Sequence, residues 1–113
     1  MDTGHKAQTP VDDSRAQALA LIERAKHLSS TGHIDQAGDL IGRALSLARR
    51  CDDRQVLGWA LMEEGWVAYC AGRPLAAYTA SSEACRLLAD CNDVERHAQA
   101  LNTCALVYIS SDD

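Results

Sequence analysis

Four histidines, five cysteines and the glutamate pair Glu63-Glu64 are the side chains of this 113-residue chain best equipped for catalysis or metal binding. The histidines, His5, His27, His33 and His97, show no H-E-x-x-H or comparable ligand spacing. His27 and His33 flank one turn, where solvated helix-end histidines are the expected reading. Cys51, Cys70, Cys85, Cys91 and Cys104 form an odd set with no C-x-x-C pair, which suits neither a closed disulfide framework nor a zinc site. They are read as reduced, mostly buried small hydrophobes. Glu63 and Glu64 are neighbours, so on a helix they point about 100° apart and cannot act together on one group; a solvated edge is expected. No catalytic residue, cofactor site or metal site is assigned, and the chain is read as not an enzyme. The richest cluster is instead Trp59, Met62, Trp66 and Tyr69, whose spacings of 3, 4 and 3 set them on one stripe of a helix. Such a stripe is either core or a contact surface, Trp and Tyr being common at binding hot spots.

Helices must position that stripe. Aromatic residues make up 4% of the chain and Phe is absent, while Ala and Leu recur, which favours closely packed helices over sheet. Turn formers and capping residues cluster at Ser29 to Gly32, Cys51 to Asp53, Ala71 to Pro74 and Asp90 to Asp93. These breaks predict five helices, over about 14–29, 34–50, 54–71, 74–90 and 94–109, after a loose tail at 1–13.

A shift of 40 residues aligns the chain with itself. Asp13, Asp53 and Asp93 coincide, as do Ala20, Ala60 and Ala100, and Leu21, Leu61 and Leu101. Small residues recur at Ala25, Gly65 and Ala105; Gly32 matches Gly72, Ala37 matches Ala77, Ala44 matches Ala84, Leu47 matches Leu87 and Cys51 matches Cys91. Each match has a mechanical meaning. The aspartates are placed to cap the N–H groups of the helix that follows. Ala25, Gly65 and Ala105 leave room for a neighbouring helix. Gly32 and Gly72 supply left-handed turns, and Pro74 starts the next helix. The units run 14–50, 54–90 and 94–109. Ser110 to Asp113 then halt the third unit where a second helix is due, so 110–113 is read as a truncation point in a longer protein.

Gly65, Gly72, Ala77 and Ala84, with their counterparts Ala25, Gly32, Ala37 and Ala44, resemble the tetratricopeptide family, here with a 40-residue period in place of the usual ~34. The resemblance covers roughly 14–109 and implies an all-α solenoid of stacked antiparallel hairpins, about two and a half repeats in all. It also implies that the aromatic stripe faces a concave groove, since the repeat register gives the core to Leu61, Gly65 and Ala68. Groove is favoured over core for Trp66 and Tyr69; for Trp59 and Met62 both remain open. The equivalent positions are Leu19, Ile22, Lys26 and Ser29 in the first unit and Gln99, Asn102, Leu106 and Ile109 in the third. The expected partner-binding set is Leu19, Ile22, Lys26, Trp59, Met62, Trp66, Tyr69, Asn102 and Leu106.

The expected function is that of a protein-interaction module taking an amphipathic helix or apolar segment. Lys26 is the single cation expected in the groove, which makes a clamp for a peptide carboxylate the weaker idea. By resemblance, such arrays serve as regulatory or sensory segments beside bacterial output domains, including diguanylate cyclases and helix-turn-helix regulators. The alternative is a homodimerisation module that covers the apolar run Leu106, Val107, Tyr108 and Ile109. A formal charge of −5 with interspersed signs argues against nucleic acid and anionic membranes. The absence of a long apolar run or secretory signal, together with the cysteines, suggests the cytoplasm.

Overall fold

The computed structural model of the protein describes residues 10–111, with side chains placed over 13–110. It is all helical: α1 (Pro10–Ser30), α2 (Ile34–Cys51), α3 (Arg54–Cys70), α4 (Pro74–Asp90) and α5 (Val94–Ser111). Consecutive helices pack as antiparallel hairpins, α1 with α2 and α3 with α4, while α5 lies on α4 and also touches α3.

The 40-residue register is visible in the backbone. His33 N–H donates to Leu28 O at 2.8 Å, and Arg73 N–H to Ala68 O at 2.9 Å, closing the same helix end in both hairpins. Gly32 and Gly72 sit there at φ +88° and +78°, a conformation that costs a glycine nothing. The turns between units, at the breaks read from the sequence, use Asp52 and Asn92 at φ 55° and 58°; Asp and Asn tolerate the left-handed region better than most residues.

Asp53 caps α3 as expected, accepting from the N–H groups of Gln55 and Val56 at 3.1 Å each. It also accepts from Arg15 Nε at 2.7 Å, which ties α1 to α3. Burial pushes its carboxyl up, but the Val56 and Gln55 N–H groups and Arg15 outweigh burial and leave it below the ordinary value. Asp93 caps α5 in the same way, accepting from Arg96 N–H. Asp13 does not follow them. Helix α1 already begins at Pro10, where the missing N–H is harmless, so Asp13 lies inside the helix and accepts from Gln17 Nε2 at 3.0 Å. Of the expected tail, residues 10–13 are therefore helical and 1–9 lie outside the described residues. At the other end Ser110 and Ser111 continue α5, and 112–113 are outside them.

One core runs through the stack, built from Ala18, Ile22, Ala25, Ile41, Ala44, Val56, Ala60, Leu61, Ala84, Leu88 and their neighbours. Gly65 is buried where α3 crosses α4: a Cβ there would overlap Ser81 Oγ and crowd Ala77 O. Gly58, one face-repeat earlier, lies against Leu88. The third small residue behaves differently. Ala105 is exposed, because no helix follows α5 among the described residues to occupy the place that α4 takes beside α3. The five thiols are free, as read from the sequence, yet only Cys51 is buried; Cys85, Cys91 and Cys104 are half-buried and Cys70 is exposed. They are less of a core component than their residue type suggested.

Candidate functional site

Helices α1, α3 and α5 stand side by side, and their shared face forms two adjoining hollows. The first is lined by Leu19, Ile22, Glu23 and Lys26 of α1, Trp59, Met62 and Glu63 of α3, and Glu95, Arg96 and Gln99 of α5. The second continues along the groove with Lys26, Ser29, Ser30, Met62, Glu63, Trp66, Gln99 and Asn102. Leu19, Ile22, Lys26, Trp59, Met62, Trp66 and Asn102, expected together from the repeat register, are thus brought together. Ile22 and Met62 are buried in the floor, and Trp59 and Trp66 are half-buried.

Two expected members stand outside both hollows. Tyr69 stacks behind Trp66 with ring centroids 5.7 Å apart and places its hydroxyl 3.4 Å from Ser110 Oγ, so it supports Trp66 and joins α3 to the end of α5. Leu106 is half-buried on α5, beyond the lining.

Trp59 has a fixed role within the wall. Its Nε1–H donates to Asp93 Oδ2 at 2.6 Å, and the Arg96 guanidinium lies 4.3 Å above its ring. Arg96 also reaches Asp93 Oδ2 at 3.4 Å. The Trp59 indole, followed by the Arg96 N–H, holds the Asp93 carboxyl below its ordinary value against the opposing effect of burial. A cap, an aromatic ring and a cation therefore clamp the start of α5 onto α3.

Charged groups set the character of the groove, and of these the sequence reading had only Lys26. Glu63 is 5% exposed rather than solvated, and its Oε1 has no hydrogen-bond partner among the described residues. Burial pushes its carboxyl above the ordinary value of 4.5; Glu23 adds to this, while Lys26 and Arg96 oppose it. Glu64, the adjacent residue, is half-buried, and burial raises its carboxyl too. Arg96 joins Lys26 as a second groove cation, and Glu23 and Glu95 join Glu63 as acids, so the apolar groove foreseen with a few polar residues is in fact an apolar floor under charged walls. Glu23 and Glu63 are equivalent in the 40-residue register, a coincidence that could have flagged the position.

The sign of the Glu63 shift makes a prediction. With its folded value above the unfolded one, the folded state holds the proton more tightly, so Glu63's contribution to stability falls as pH rises from 4.5 through the raised value and is level beyond it. Glu63→Gln should therefore melt higher than wild type at pH 7 and lose this part of the pH dependence. Thermal melts of both proteins between pH 4 and 8 check it. Asp53 and Asp93 work in the opposite sense, their stabilisation being lost only as pH falls below 3.8 through their depressed values.

Among the described residues no group of three or more His, Cys, Asp or Glu is placed to hold a metal ion, and no helix is long and apolar enough to cross a membrane. Set beside known proteins, the chain matches no family model, no curated protein and no solved structure.

Proposed function

We propose that this chain is a protein-interaction module of tetratricopeptide type whose α1–α3–α5 groove takes an extended or helical segment of another protein. The observation that carries the reading is the gathering of Ile22, Met62 and Trp66 with Lys26, Gln99 and Asn102 along one continuous groove. An apolar floor offers a peptide's hydrophobic side chains burial worth about 25 cal/mol per Å², and the amides on α5 can pair with its backbone. We read it, on the resemblance in the sequence, as the regulatory or sensory segment of a larger bacterial signalling protein, and place it in the cytoplasm on its reduced cysteines.

The test is a display selection of random peptides of about 12 residues on the immobilised chain. Binders should emerge, and Trp66→Ala should weaken them about thirtyfold or more, as truncation of an aromatic hot spot does, while the helical circular dichroism stays unchanged. A selection that yields no binder, or binders indifferent to Trp66, overturns the reading.

A second reading, self-association, is favoured by the outer face of α5. Val94, Leu101 and Tyr108 are 78%, 52% and 76% exposed and share a stripe with Ala98 and Ala105. Ala98, Leu101, Ala105 and Tyr108 are the equivalents of Gly58, Leu61, Gly65 and Ala68, which in the second unit are buried, Gly58 and Gly65 against α4, while Val94 matches the exposed Arg54. The stripe is close to symmetric about Leu101, so a two-fold axis there would set Val94 of one copy beside Tyr108 of the other, with the alanines between them. Of the run first suspected, Tyr108 and Ile109 are exposed and Leu106 is half-buried, but Val107 points inward and packs with Ala68 and Ala77. Wild type is expected to sediment as a dimer at micromolar concentration, and Leu101→Glu with Tyr108→Glu as a monomer. A monomeric wild type removes this reading.

A further inference from the structure

We propose that Glu63 is the specificity anchor of the groove, the acceptor for a guanidinium or ammonium group carried by the bound segment; this rests on the binding-module reading above. Two buried side-chain atoms lack a partner among the described residues, Glu63 Oε1 and Ser81 Oγ. The serine is wedged against Gly65 inside the α3–α4 contact, where only packing is at stake. Glu63 instead lines both hollows of the groove. A carboxylate buried without donors is a burden on folding that a glutamine or leucine would lighten. A donor arriving with the ligand would remove that burden.

The surroundings select a cation. Lys26 is the nearest opposite charge on α1, yet it forms no ion pair among the described residues, and Arg96 is held by Asp93 and by the face of Trp59. Glu23 and Glu95 add to Glu63 on the same walls. A ligand carboxylate would meet these three acids with Lys26 as its main attraction, whereas a basic side chain would meet complementary charge. Met62 and Trp66 flank Glu63 on α3 and suit such a side chain further: a methylene stem can lie on the thioether, and a guanidinium can lie over the indole while donating to the carboxylate.

The experiment uses the peptides selected on the full chain. Wild-type binders should share a Lys or Arg at one fixed position, and replacing it with norleucine should weaken binding about thirtyfold or more, the scale of truncating one partner of a buried charge pair. The same replacement should have little effect against Glu63→Gln, and Glu63→Gln should melt no lower than wild type. Binders without a common basic position, or a norleucine effect of equal size on both proteins, overturn the role of Glu63 and leave the module reading intact. A Glu63→Gln protein that melts lower makes Glu63 a structural group and also overturns it. Failure to obtain any binder to wild type takes both readings down together.

Discussion

Gly65→Leu should lower the unfolding free energy by about 3 kcal/mol, near the upper end for an overpacked core contact. Even a Cβ at Gly65 would overlap Ser81 Oγ and sit 3.2 Å from both Ala77 O and Ser81 Cβ. Serine can give way a little, but the Ala77 carbonyl belongs to the backbone of α4 and cannot move without the helix. The whole hairpin must therefore open to accept an isobutyl group. For a chain of this size 3 kcal/mol corresponds to a fall in melting temperature of roughly 12 °C. Ser81→Ala provides a check on the mechanism. It removes a buried hydroxyl with no partner among the described residues, so alone it should be neutral or mildly stabilising. It should also relieve part of the cost of Gly65→Ala, a coupling that urea denaturation of the single and double variants measures. A Gly65→Leu protein that melts with wild type would mean that α3 and α4 do not meet at this register.

Trp59→Ala should cost a similar amount, about 3 kcal/mol, for a different reason. The ring is only half-buried, so lost packing accounts for part of the effect. The rest comes from Asp93, which loses the indole donor at 2.6 Å, and from Arg96, which loses its aromatic surface. Trp59→Phe separates the two contributions: it keeps most of the apolar area and removes the bond to a charged acceptor, worth about 1.5–3 kcal/mol. Because α5 is the last described helix and packs mainly on α3 and α4, both variants should loosen it first. Hydrogen exchange should quicken across Val94 to Ser111 before it quickens in α1 and α2. Equal exchange rates in wild type and Trp59→Ala would remove the clamp from the account.

The helices and their register were legible because short-range chemistry decides them. Gly32 and Gly72 at positive φ, Asp53 and Asp93 at helix starts and Pro74 in a first turn leave little freedom, and their repetition at 40-residue spacing makes each support the other. The groove was legible to the same extent, since residues one repeat apart fall on equivalent faces. What the sequence hid depends on partners distant along the chain. Asp13 looks like its two equivalents, but it lies inside α1, which already runs from Pro10. Ala105 and Val107 could not be assigned a face without knowing that α5 is covered by α3 and α4 on one side only. Glu63 was read as a solvated charge although it shares a face with Trp59 and Trp66; it is buried because α1 and α5 close over α3 from both sides. Its neighbour Trp66 lines the second hollow, and Trp59, on the same stripe, lines the first while held by Asp93 and Arg96, residues whose side-chain positions only the folded chain reveals.

The central claim is that a peptide occupies the α1–α3–α5 groove, and the two indole N–H signals of the protein report on it directly. Trp59 Nε1–H is fixed on Asp93 at the groove wall, while Trp66 stands half-buried beside the second hollow with Tyr69 stacked behind it. In a ¹H–¹⁵N titration with a peptide selected on the chain, the Trp66 indole and the backbone signals of Lys26, Met62 and Asn102 should shift together and saturate. The signals of Leu101, Ala105 and Tyr108 should hold still. Shifts confined to that outer face of α5, with Trp66 unmoved, would contradict the groove as the binding site.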